Sequence, residues 1–257
     1  PAAAKPGQQL SFFETASAPA YESAPPPSTD TETRIVDSAE KLSALAAELA
    51  KAKEIAFDSE TTSTEEMRAE IVGISLAFEA GIGYYIPVGH SQGQNLSLDA
   101  VVAALRGPLT NPNIPKIGHN IKYDAIVLAR FGLFVEPLSF DTMLAEWLID
   151  PGSRNLGLKN LSLARLGIEM THIEDLIGKG KNQLSMADVP VENAAPYAAA
   201  DADMTLRLKA ILEEELQKAG MMDVFRQVEM PLVPVLAQME MNGVRLDLDF
   251  FLAFSKE

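Results

Sequence analysis

Ile55-Ala56-Phe57-Asp58-Ser59-Glu60 is the stretch on which the reading of the fold turns. Three apolar residues form a short buried strand, and the chain then changes abruptly to acid. Side chains of a strand alternate between faces, so Asp58 and Glu60 point the same way. Two carboxylates side by side repel, and a cation is the natural remedy. A solvated acidic turn would carry the same letters, and the Asp-x-Glu spacing alone does not separate the two readings.

The flanking sequence supplies the rest of a mixed α/β sheet. Ser38 before Ala-Glu-Lys-Leu caps a helix expected to run to about Lys53. Ile71 to Phe78 and Gly83 to Val88 are apolar runs joined by Glu79-Ala80-Gly81-Ile82, which reads as a hairpin. Leu98, Val101, Val102 and Leu105 recur at helical spacing. Lys116-Ile117-Gly118 is a further strand, followed by a helix marked by Ile121, Ala125 and Leu128. Asp141 reads as the cap of a helix carrying Met143, Leu144, Trp147 and Leu148, with Trp147 assigned to the core. From about Leu156 the pattern is mainly helical. The expected class is α/β, a sheet flanked by helices with a helical C-terminal half.

Two further places bear on chemistry. Asp124 falls in the first turns of the helix after Gly118, a strand-to-helix junction where sites are common. Tyr197 and Asp201 are four residues apart and share a helical face, with Ala198, Ala199 and Ala200 expected to keep that face open. Asp203 lies on another face and reads as a solvated or capping carboxylate. His90, His119 and His172 show no zinc spacing and read as structural or surface residues. Gly178-Lys179-Gly180-Lys181 lacks P-loop spacing; a solvated loop and a phosphate-contacting loop are equally open for it.

Bulk properties narrow the classes. The chain of 257 residues carries 21 basic and 36 acidic side chains, a net of −15. That balance argues against a broad basic nucleic-acid surface, although carboxylates gathered around cations add acid without adding repulsion. A pure single-strand binding module is disfavoured for the same reason and by 7% aromatic content. The absence of cysteine rules out thiolate metal sites and disulfides and fits a cytoplasmic location. No run of about 18 apolar residues exists, so no membrane span is expected. Residues 1–33, rich in Pro, Ala, Ser and Thr, read as a disordered linker with one apolar island at Leu10–Phe13. The start at Pro1 suggests a fragment or processed product.

Taken in order, Asp-x-Glu after a strand, Asn-x-x-Tyr-Asp and Tyr-x-x-x-Asp resemble the signature of the DEDD exonucleases, tyrosine subclass. "IAFDSETTS", "IVGISLAFE", "IGHNIKYD", "SFDTMLAEWL", "IGKGKNQLS", "YAAADADMTLRL" and "VEMPLVPVLAQMEMNGVRLD" are similar to the proofreading region of bacterial family A DNA polymerases. The similarity runs from about Ile55 to Asp247. It implies an RNase H-like 3′-to-5′ exonuclease domain over residues 34–220 and the start of a polymerase domain over residues 221–257. It further implies two divalent cations, Mg2+ or Mn2+, held by Asp58, Glu60, Asp124 and Asp201, with Asp58 touching both. Tyr197 and Glu60 would orient the attacking water, and nucleoside 5′-monophosphates would be released.

The same resemblance makes Thr61, Asn120, Lys122, Tyr123, Arg154, Lys179 and Lys181 candidate DNA contacts. The implied partners are a single-stranded or mismatched DNA 3′ end and a polymerase domain, the chain acting as a monomer. Thr64 departs from the pattern, standing where a leucine usually wedges against the terminal bases; Met67 is a candidate substitute. Pro196 departs too, requiring that the helix begin there or bend just before Tyr197. An RNA-trimming exonuclease of the same superfamily is the main alternative. A vestigial spacer is disfavoured because all four carboxylates and the tyrosine stand.

Overall fold

The structure is a computed structural model, and it describes residues 30–180 and 183–256. Six strands form one sheet in the order β1-β4-β3-β2-β5-β6. They are β1 Glu32–Ile35, β2 Ile55–Thr61, β3 Ile71–Glu79, β4 Ile82–Pro87, β5 Lys116–Gly118 and β6 Leu138–Asp141. β3 is antiparallel to β2 and β4, while the β1–β4, β2–β5 and β5–β6 pairs are parallel, which makes the sheet mixed as expected. The helices are α1 Ala39–Leu49, α2 Leu98–Leu109, α3 Ile121–Arg130, α4 Thr142–Ile149, α5 Leu158–Leu166, α6 Ile173–Ile177, α7 Val191–Lys218, α8 Met222–Val224, α9 Met230–Asn242 and α10 Leu248–Phe254. Among the described residues no strand follows Asp141, which gives the helical second half.

β2 and β3 carry apolar side chains on both faces because helices cover the sheet. Ile55, Phe57, Ile74 and Leu76 are fully buried with Leu45 and Leu49 of α1 and Leu105 and Leu109 of α2. α7 lies across β2, β3 and β4. Its close approach is a matter of small residues. A Cβ on Gly83 of β4 would fall 2.3 Å from the carbonyl oxygen of Ala199, so the helix backbone sits directly on the strand. Ala194, Ala195, Ala198, Ala199 and Ala202 are all buried there. Ala198 and Ala199 thus pack the helix onto the sheet, and Ala200 packs with Met170 and Met204 in a separate buried cluster; the three do not hold a face open.

Several boundaries differ from expectation. β2 does not stop at Phe57 but continues through Thr61, so both acids of the first motif lie within the strand. α1 starts on its Ser38 cap and ends at Leu49, four residues before Lys53. Among the described residues regular structure begins at Glu32, inside the segment read as linker, because β1 pairs with β4. Residues 1–29, with the Leu10–Phe13 island, lie outside the described residues. Short edge strands such as β1 and β6 have too few apolar letters to announce themselves. Trp147 is 47% exposed and is no core residue: its α4 helix turns Ala145 and Glu146 inward instead.

Candidate active site

β5 is only three residues long, and its pairing with β2 ends at Ala56. Beyond that point the edge of β2 is free of strand, and α3 fills the gap. Its Asp124 accepts the Ser59 backbone N–H at 2.9 Å, a donor that no neighbouring strand takes, and the Ser59 hydroxyl at 2.5 Å. Asp141 sets the start of α3. Its buried carboxylate accepts from the N–H groups of Asn120 and Ile121, and also from Met143 and Leu144 at the start of α4. One side chain therefore caps two helices, a larger part than the single cap expected of it.

On the same stretch of β2, Asp58 and Glu60 face α7. Ligand oxygens of Asp58, Glu60 and Asp201 all lie within 4.8 Å of one another. Glu60, Asp124 and Asp201 are buried, and Asp58 is half-buried. Burial first, then the Asp201 charge, pushes the Glu60 carboxyl up to about 8. Burial raises Asp124 to about 7 against the Ser59 hydrogen bonds, which favour its ionised form. Asp58 is raised well above the usual carboxylate range by burial and by Asp124, Glu60 and Asp201. Asp201 is also raised by burial, with Lys159 opposing. The clustered carboxylates of Asp58, Glu60 and Asp201 are hard oxygen donors, of the kind that hold a hard divalent cation.

Lys159 of α5 escaped the sequence reading. It forms an ion pair with Asp201, and its ammonium stands 4.0 Å from the centroid of the Tyr197 ring. Nothing in the local letters signals this contact, since its partner lies 42 residues away on another helix. Tyr197 is buried, and burial, Asp201 and Glu60 hold its hydroxyl protonated. α7 begins at Val191, so Pro196 is an interior residue and the helix does not start at it.

A cleft of about 600 Å³ opens beside the cluster, lined by Ser59 to Thr64 of the β2 end, by Tyr123, and across from them by Ile173, Ile177, Leu184 and Met186. Thr61 and Tyr123 share this wall, their hydroxyls 2.6 Å apart. Thr64 lines it and is exposed; Met67, 43% exposed, is not among the lining residues. The other candidate contacts lie apart from the cleft lining. Asn120 is an exposed N-cap in the left-handed region (φ 56°), and Lys122 pairs with Glu240 of α9. Arg154 is exposed between α4 and α5, and Lys179 pairs with Glu174 at 2.6 Å. Lys181 lies outside the described residues.

Asp203 is fully buried, contrary to the solvated reading. It accepts from the Gly81 N–H at 2.8 Å and from Thr31, and it pairs with Arg207 at 2.8 Å. It ties α7 to the β3–β4 turn and to the residue before β1. His90 is structural, bonded to the Tyr85 hydroxyl and the Val189 carbonyl. His119 is held by Thr142, and burial lowers its ring to about 4.

A family model described as 3′-5′ exonuclease, of the DNA polymerase A type, matches residues 33–217. The chain belongs to this exonuclease family. The chain is 44% identical over 245 residues to the DNA polymerase I of Chloroflexus aurantiacus, covering 94% of this chain and 25% of that protein. It spans about a quarter of the length of such curated relatives. Its fold is shared with the POL domain of M. smegmatis Pol1 in complex with primer-template DNA and dNTP (TM-score 0.66, 24% identity, 84% of this chain and 33% of that one). Escherichia coli RNase D, an exoribonuclease, has the same RNase H-like exonuclease fold (TM-score 0.63, 19% identity, 81% and 51%). Among the described residues of the exonuclease domain, no helix is long and apolar enough to cross a membrane.

Proposed function

We propose that this chain is the 3′-to-5′ proofreading exonuclease domain of a DNA polymerase I, removing 3′-terminal nucleotides from single-stranded or mismatched DNA ends. The observation that carries the reading is the convergence of Asp58, Glu60 and Asp201 within 4.8 Å, with Asp124 on the adjoining helix, at the head of an open cleft. Asp58, Glu60 and Asp201 would hold one divalent cation, and Asp124 with Asp58 a second. Cations held there would activate a water as nucleophile and offset the charge developing on the leaving 3′ oxygen.

The chain's own residues do the rest. Tyr197, kept protonated, offers a hydroxyl that can orient water beside Glu60. Thr61 and Tyr123 form a polar wall for the sugar-phosphate, while Ile173, Ile177 and Leu184 give an apolar wall for the terminal bases. That apolar wall compensates for Thr64 where a leucine is usual. The cleft suits unpaired nucleotides, so a duplex end must fray to enter.

Residues from about 221 onward belong, on this reading, to a following polymerase domain. Phe250, Phe251, Leu252 and Phe254 of α10 are each more than half exposed, which suits a segment that docks on further protein. The test is nucleotide release from 3′-labelled DNA with Mg2+ or Mn2+. Release of 5′-monophosphates from single-stranded and mismatched ends, faster than from blunt duplex, is expected. Equal rates on both ends, or preference for an RNA oligomer, would overturn it.

A further inference from the structure

Asp58, Glu60 and Asp201 bring three carboxylates within 4.8 Å of one another, and the protein brings a cation of its own to them. Lys159 reaches in from α5 to pair with Asp201, its side chain 16% exposed. The base of this arm is fixed. Arg165, two turns further along α5, bonds Glu146 of α4 and Glu215 of α7, each at 2.8 Å. The same ammonium packs on the Tyr197 ring, so it touches both α7 residues of the site at once. Lys159 is also the cation that opposes the upward shifts of Asp58, Glu60 and Asp201.

We propose that Lys159 is a tethered counter-cation: it holds Asp201 and the Tyr197 ring while no divalent cation is bound, yields Asp201 to the metal, and transfers its charge to the phosphate of the entering 3′ nucleotide. The inference rests on the two-cation reading above. An ammonium and a divalent cation on one buried carboxylate are like charges a few ångström apart, so they compete. The four-carbon stem lets the ammonium move without moving α5. A phosphate is the anionic destination that makes the exchange favourable, and a lysine meets it as a point charge. Metal and nucleotide binding are then coupled, because the nucleotide stabilises the state the metal produces. In this scheme Lys159 acts on the metal through Asp201 and on the nucleotide directly, through its phosphate.

The experiment is a Mn2+ titration followed by the spin resonance of free Mn2+, with and without thymidine 5′-monophosphate, on the 257-residue chain. Lys159→Met should bind Mn2+ about tenfold more tightly than the wild type when nucleotide is absent. Lys159→Arg, which keeps the charge, should not. Nucleotide should tighten Mn2+ binding to the wild type several times more than to Lys159→Met, a coupling that a merely structural lysine would not produce. Unchanged or weaker Mn2+ binding by folded Lys159→Met overturns the proposal. Should that variant not fold, Lys159→Gln, which removes the charge but retains a hydrogen-bond donor, decides by the same criteria. Failure of the wild type to bind Mn2+, or binding insensitive to Asp58→Asn, overturns the two-cation reading instead.

Discussion

Ser59 gives both its backbone N–H and its hydroxyl to one oxygen of Asp124, at 2.9 and 2.5 Å. The bond joins β2 to α3 where β5 has already ended, and it favours the ionised carboxylate. Ser59→Ala removes one of the two donors. A hydrogen bond to a charged group contributes about 1.5–3 kcal/mol, so turnover should fall about tenfold or more. The acid limb of the pH–rate profile should also move to higher pH. An unmoved limb would mean that the ionisation of Asp124 does not limit the reaction.

Asp58→Ala and Asp201→Ala each remove a member of the three-carboxylate cluster and should abolish most Mn2+ binding together with hydrolysis. Tyr197→Phe keeps the ring beneath Lys159 and loses only the hydroxyl. Metal affinity should survive while the single-turnover rate falls about 10- to 1000-fold, the scale of lost positioning and proton contacts. Manganese titration beside rapid-quench nucleotide release separates the two classes.

Asp203→Ala should damage stability and not chemistry. The carboxylate is fully buried and satisfies Gly81, Thr31 and Arg207. Removing it leaves a half-buried guanidinium whose remaining acidic partner among the described residues is Asp30, at a cost of about 2–3 kcal/mol, somewhat under the value for a fully buried pair. Thermal denaturation should show a midpoint lowered by about 4–12 °C. Per-molecule turnover at 20 °C below that midpoint should stay near wild type.

The raised carboxyls of Glu60 (about 8) and Asp124 (about 7) set a pH dependence with a definite sign. Their folded values lie above those of the unfolded chain, so the metal-free native state keeps protons that the unfolded chain has lost. Their contribution to stability is full below about pH 4 and is lost as pH rises through 7 to 8. Divalent cations replace those protons. The rise in melting temperature on adding Mn2+ should therefore be small at pH 5 and large at pH 8. A pH-independent rise would show that the cation binds elsewhere.

Gly83→Ala probes the seating of α7. The new Cβ would meet the Ala199 carbonyl oxygen, a backbone atom, at 2.3 Å, so the helix must lift from β4. Overpacking of this kind costs about 1–3 kcal/mol. It also displaces Tyr197 and Asp201 from β2. Hydrolysis and Mn2+ affinity should both fall while circular dichroism remains that of a folded protein.

The sequence by itself determined what periodicity and order can carry. Alternation placed Asp58 and Glu60 on one face of a strand, i,i+4 spacing placed Tyr197 with Asp201, and the hairpin and the cap at Asp141 were legible from their letters. The order of the motifs identified the exonuclease family. Contacts between distant segments have no such local period, and those only the tertiary structure decided. The shortness of β5 hands the Ser59 N–H to Asp124, Gly83 brings α7 down onto the sheet, Asp203 turns inward to meet Arg207, and Lys159 enters the site from a helix with no acidic motif of its own. Trp147 belongs to the same class: its apolar side chain was assigned to the core on composition, yet it faces solvent because the buried side of α4 is taken by Ala145 and by Glu146 paired with Arg165. A charge's partner depends on which elements the packed sheet brings side by side, and that is a property of the assembled core and not of any stretch of chain.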